Sequence, residues 1–141
     1  MDLGQTDRLK SILTTVKAMI TEEIAPLDAA FLAEVGKGDR WAFTERQTEI
    51  LEGLKAKAKA QDLWNFWDTF RDGPKLNTVE YAYLAEEMGK SHLAAEVFNC
   101  NAPDTGNMEV FARYGTDAMK THWLQGEELP LDQDLILIPE I

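Results

Sequence analysis

Apolar residues recur at steps of three and four from Leu9 onward, through Ile12, Leu13, Val16, Met19, Ile20 and Ile24. That spacing predicts an amphipathic helix with one buried stripe. Asp2 with Gln5, or Thr6 alone, would cap its start. Pro26 lacks an amide donor and crowds the preceding turn, which predicts a break or kink there. A second helical piece carries Phe31, Leu32 and Val35, and Gly36 and Gly38 end it. Thr44 and Gln47 have capping-box spacing and open a helix that buries Ile50, Leu51, Leu54 and Ala58. It runs out near AQDLWNFW, where Trp64, Phe66 and Trp67 place enough aromatic area to predict burial against the bundle.

RDGPKL reads as a loop, with Gly73 and Pro74 as turn residues. Asn77 and Glu80 form the next cap pair, for a helix from Thr78 to about Met88 that Gly89 stops. Ser91 would cap a short helix through Val97 and Phe98. After the loop NCNAPDTGN, Asp104 would cap a helix with Met108, Val110, Phe111 and Tyr114, stopped by Gly115. Thr116 would cap a last helix ending near Leu124. The whole is an all-α bundle of about six helices, residues 1–125, followed by a short extended tail, residues 126–141. In that tail Leu135 to Ile138 reads as a strand between Pro130 and Pro139. A lone strand cannot satisfy its own edges, so it must pair, pack or stay loose.

The chain has 141 residues and a net charge of -11. Its length and apolar content suit one globular domain with a real core. The charge repels a nucleic-acid backbone, so no nucleic-acid partner is expected. The one basic cluster, Lys55, Lys57 and Lys59, falls at a helix end, where cations offset the helix dipole. The tail is acidic, with Glu127, Glu128, Asp132, Asp134 and Glu140 and no base. Cys100 is the single cysteine, which fits a reducing compartment. No apolar run approaches a membrane span. MDLGQTDRLK lacks a secretory core and carries acids a transit peptide avoids. The default location is the cytoplasm; a eukaryotic leader removed earlier would leave the mitochondrial matrix or the peroxisome open.

The residues offer little chemistry on their own. Glu22 with Glu23, and Glu86 with Glu87, are adjacent and point about 100° apart on a helix, so solvated surface is the expected role. His92 and His122 have no glutamate three residues earlier, which argues against a di-iron bundle site, and no zinc motif is present. Cys100 reads as a buried inert thiol rather than a nucleophile activated by His92. Gly106 reads as a close-packing position at a helix start. Trp41, Trp64, Trp67 and Trp123 read as core or interdomain packing rather than a ligand cage. No catalytic residue and no metal ligand is assigned.

Longer stretches carry a resemblance. YAYLAEEMGKS, NCNAPDTGNMEVFARYGT and the closing K..WL resemble the region that precedes the flavin domain in acyl-CoA dehydrogenases. APDTGNMEV looks like one branch of that family, which includes members fused to a kinase-like phosphotransferase domain. GDRWAFTERQTEILEGLKAKAKAQDLWNFW is similar to the same branch, and the match runs from about Asp7 to Leu124. The resemblance implies an all-helical first domain of an FAD-dependent enzyme. Such an enzyme removes a proton and a hydride from the two carbons beside an acyl thioester. It also implies that Glu96, Val97, Phe98 and Asn99 line the acyl slot, with core packing the competing role for Val97 and Phe98.

The sequence departs from the family where the flavin domain would open, at Gly126-Glu127-Glu128. Neither that domain nor the bundle with the catalytic carboxylate is recognisable in these residues. Asp62 stands where the family usually has glycine, Met119 where glutamine is common, and DTFRDGPK departs from the usual loop. No bound cofactor and no dehydrogenase activity are therefore expected of this chain alone. In the parent family the partners are the flavin domain or a second subunit; acyl-CoA would bind weakly. The rival reading is a helical interaction module using the face that a flavin domain would otherwise cover.

Overall fold

The computed structural model describes residues 4–67 and 76–125. The loop around Gly73 and Pro74, the 126–141 tail and its expected strand lie outside the described residues. The helices are α1 (Asp7–Met19), α2 (Ala25–Leu32), α3 (Glu45–Ala60), α4 (Thr78–Met88), α5 (Ala94–Val97), α6 (Asp104–Tyr114) and α7 (Asp117–Lys120). Two π-helical turns join them, Ile20–Ile24 between α1 and α2 and Thr121–Gln125 after α7. The fold is all-α, and no strand is present among the described residues.

Local caps explain most boundaries. Thr6 accepts the Leu9 amide at 3.2 Å and starts α1. Thr44 and Gln47 exchange both bonds of a capping box, at 3.2 and 3.0 Å. Asn77 and Glu80 do the same at α4, at 3.0 and 2.9 Å. Each reciprocal pair satisfies two amides that a helix start leaves orphaned.

Several boundaries differ from the sequence pattern. Pro26 does not end the helical path. It sits in the first turn of α2, where a missing donor costs little. The π turn before it brings the Ala25 amide back to the Ile20 carbonyl. Val35 lies in turns beyond α2, and Gly36 and Gly38 reverse the chain at φ 84° and 73°. Ser91 does not cap α5. Its hydroxyl donates to Asp28 at 2.9 Å and accepts the Leu93 amide at 3.2 Å, and the helix starts at Ala94. Asp104 is the first residue of α6, not its cap, and makes no capping bond. A side chain at Gly106 would meet open space, so close packing is not its role. At Gly115 a Cβ would lie 2.5 Å from the Phe111 carbonyl oxygen, so the turn into α7 requires glycine.

The core is built from the stripes of α1, α3 and α4 with α5 beneath them. Leu9, Val16 and Ile24 meet Leu54, Ala58, Leu84, Val97 and Phe98 in one cluster. Phe66 is buried, while Trp64 and Trp67 pack against the cluster's edge. Trp41 is 80% exposed and takes no part in the core. α1 packs on α4, α3 on α5, and α6 chiefly on α7 and the turn after it.

Charged groups tie the layers. Glu80 is buried and accepts from Thr6 at 2.6 Å and from Arg8, joining the starts of α1 and α4. These bonds, led by that from Thr6, hold its carboxyl below the usual glutamate value. Glu87 is also buried, contrary to the solvated role expected of it, and pairs with Lys17 at 3.3 Å and Lys90 at 2.6 Å. Burial pushes its pKa up, but the bonds from Lys90 and Lys17 outweigh that and lower it. Glu23 pairs with Lys57 at 2.5 Å.

Candidate functional site

The four residues singled out as slot lining sit at the end of α5. Val97 and Phe98 are both 0% exposed, their side chains filling the core. Glu96 and Asn99 are part-exposed and flank them. α5 can be this short because α3 holds it from one side and the Asp28–Ser91 bond fixes its entry.

Glu96 accepts from Lys55 at 2.9 Å and from the Asn101 side-chain amide at 3.2 Å. The Lys55 side chain is only 6% exposed, and Glu52 lies 3.8 Å from it. Lys55 is thus no part of a solvated basic cluster; Lys57 and Lys59 alone occupy the last turn of α3. A buried ammonium needs partners, and among the described acids Glu96 lies closer than Glu52. Asp104 stands in the same field. Burial first, then the Glu96 charge, raise its pKa, against the pull of Lys55.

Asn99 turns the chain at φ 53°, and Asn65, across the fold, does the same at φ 58°. The Asn99 side-chain amide donates to the Asn65 oxygen at 2.7 Å and approaches the Met108 sulfur at 3.7 Å. The Asn65 backbone amide donates to the Phe98 carbonyl at 3.1 Å. Asparagine tolerates the left-handed region because its side chain hydrogen-bonds locally. Asp62 is left-handed as well, at φ 57°. This explains why a residue of that kind can replace glycine there.

Cys100 follows directly. Its thiol is buried, donates to the Phe98 carbonyl at 3.4 Å, and is pushed up to about 11 by burial. The Tyr81 hydroxyl beside it is raised too, again mainly by burial. His92 is exposed, its backbone amide bonded to Asp28 at 3.3 Å. Among the described residues no group of His, Cys, Asp and Glu could hold a metal ion, and no helix is long and apolar enough to cross a membrane.

A flavin dinucleotide needs a cradle of free amides for its pyrophosphate, usually a glycine-rich loop at a helix start. Here the starts of α1, α3, α4 and α7 are closed by Thr6, Thr44, Asn77 and Thr116, and each has an acid in its first turn. The start of α6 has no side-chain cap and carries Asp104 in its first turn; no chemical step is assigned through a flavin. The side chains the site does bring together, Lys55, Glu96, Asn65 and Asn99, order a helix end rather than converge on a reacting atom.

Sequence reasoning missed Lys55, Asn65 and Asn101. Lys55 carried one signal: it follows Leu51 by four and so shares the buried stripe of α3. The pairing of two distant asparagines left no local trace.

No family model matches the chain. Curated relatives do. "Acyl-CoA dehydrogenase family member 10" of Mus musculus is 38% identical over 127 residues, which is 86% of this chain and 12% of that protein. "Acyl-CoA dehydrogenase family member 11" of Homo sapiens is 36% identical over 125 residues, 86% of this chain and 15% of the relative. A solved structure assigned to the acyl-CoA dehydrogenases, from Mycobacterium abscessus, superposes with a TM-score of 0.76 at 39% identity. It covers 86% of this chain and 31% of that one. The chain thus spans less than a third of the length of each. The chain is a homologue of one part of acyl-CoA dehydrogenase family members, consistent with their N-terminal helical domain.

Proposed function

We propose that the chain serves an FAD-dependent acyl-CoA dehydrogenase as the scaffold that walls the acyl slot, and that it contributes no reacting group. Residues 1–125 are the helical domain in this reading. The observation that carries it is the over-determined helix end at Glu96–Asn99. Lys55 holds it from α3, Asn65 from the loop after α3, and Met108 from α6. An ordinary surface helix end does not need three supports, whereas a wall facing a ligand does. Glu96 and Asn99 form its accessible edge, and Val97 and Phe98 back it from the core. The shared ancestry with acyl-CoA dehydrogenases supplies the ligand class.

The test is photolabelling of the purified chain with a long-chain acyl-CoA carrying a diazirine at the end of its acyl chain. Saturable label in the peptide holding Glu96–Asn99 is the expected result. Label spread over other helices, or none, contradicts the reading.

A second reading is favoured by one observation. Val110, Tyr114, Met119 and Trp123 are exposed on α6, α7 and the turn after them. Clustered apolar surface of this kind marks contact faces. Here the chain is an interaction module that uses this face on a flavin domain or a second subunit. Light scattering would separate the two. Self-association that Tyr114→Glu abolishes supports the module, and a monomer at all concentrations contradicts self-association by this face.

A further inference from the structure

We propose that Asp104–Leu124 forms an arm that opens from the bundle as one unit, about the Cys100–Pro103 connector, and so releases Asn99 at the end of α5. The argument does not depend on what binds at that helix end.

The arm is built to hold together by itself. Phe111 stacks on Trp123 with ring centroids 6.2 Å apart and planes at 19°. Arg113 pairs with Glu109 at 2.6 Å, one turn away. Gly115 lets the chain turn against the Phe111 carbonyl, so α7 folds back beside α6. Trp123 also meets the His122 ring edge-on at 4.7 Å.

Among the described residues, its hold on the bundle is slight by comparison. In α6 only Met108 is buried, at 7% exposed, and its sulfur meets the Asn99 amide. The Thr105 amide donates to the Asn101 carbonyl at 3.1 Å, and Asn101 in turn holds Glu96. Val110, Tyr114 and Met119 of the arm face outward, while Leu124 is half-buried. A segment with its own internal contacts and few shared ones is the kind that opens below the global unfolding free energy. What its opening releases follows from the same contacts. Met108 rests on Asn99, so an open arm takes away one of the contacts that hold that side chain.

Native-state hydrogen exchange of the full chain, read by mass spectrometry at low denaturant, tests this. The amides of α6 and α7 should exchange together, at least about tenfold faster than those of α1 and α4. Met108→Ala should speed the arm's exchange a further tenfold or so and leave α1 and α4 unchanged. Exchange of the arm in step with α1 and α4 overturns the proposal, as does a Met108→Ala effect spread equally over all helices. Exchange at free-peptide rates also overturns it, because an arm that is never pinned cannot open.

Discussion

The side chain of Asn99 donates to that of Asn65 at 2.7 Å, and both residues sit in the left-handed region, at φ 53° and 58°. The bond fastens the end of α5 to the stretch after α3, 34 residues earlier. Two positions that each strain an ordinary side chain thus stabilise one another. Asn99→Gly relieves the backbone but loses the bond, and should cost about 1 kcal/mol. Asn99→Ala loses the bond and adds backbone strain, and should cost about 2–3 kcal/mol. Urea unfolding of both variants checks the order; equal losses would mean that the backbone conformation is not the constraint.

Lys55 tests the charged side of the same helix end. Removing it takes from Glu96 its ion-pair partner and from Asp104 a nearby positive charge. Because Glu96 remains 22% exposed, the cost of Lys55→Ala should be about 2 kcal/mol rather than the larger figure for a fully buried pair. Lys55→Met keeps the stem's packing and should lose less. Thermal unfolding distinguishes them.

Acid should weaken the fold through Glu80 and Glu87. Both carboxyls titrate below the ordinary glutamate value of 4.5 in the folded chain. A depressed carboxylate pKa contributes stability in full above the unfolded value, and that stability is lost as pH falls through the folded one. Unfolding free energy should therefore drop from about pH 5 downward. Glu80→Gln should flatten that slope while lowering stability at neutral pH, because Thr6, Arg8 and Asn77 lose a charged acceptor. An unchanged slope would show that Glu80 is not one of the groups responsible.

Cys100 should be silent in the native state. Its thiol is buried and raised to about 11, so it stays protonated at neutral pH. An aromatic disulfide reagent should react with it only after denaturant is added. Fast reaction at pH 8 without denaturant would place the thiol at the surface.

The parts of this fold that were legible in the sequence are those set within a few residues. Thr44 with Gln47, and Asn77 with Glu80, announce helix starts because both partners lie in one turn. The stripe of α1 is legible because its period is that of the helix. Ser91 and Asp104 misled because a capping residue was read from type alone: Asp28, far away in sequence, takes the Ser91 hydroxyl, and Asp104 falls inside the first turn of α6 rather than before it. Glu87 looked solvated until Lys17 and Lys90 were placed around it. At the candidate site, resemblance pointed to Glu96–Asn99, but nothing local pointed to Asn65 or to a buried Lys55. Tertiary contacts made them what they are.

The most direct test of the central claim, that this chain supplies scaffold and no chemistry, is a turnover assay. Purified chain would be given FAD, a long-chain acyl-CoA and a dye electron acceptor. The account predicts no dye reduction above the protein-free control. Reduction that scales with protein concentration would contradict it and would require a reacting group among these 141 residues.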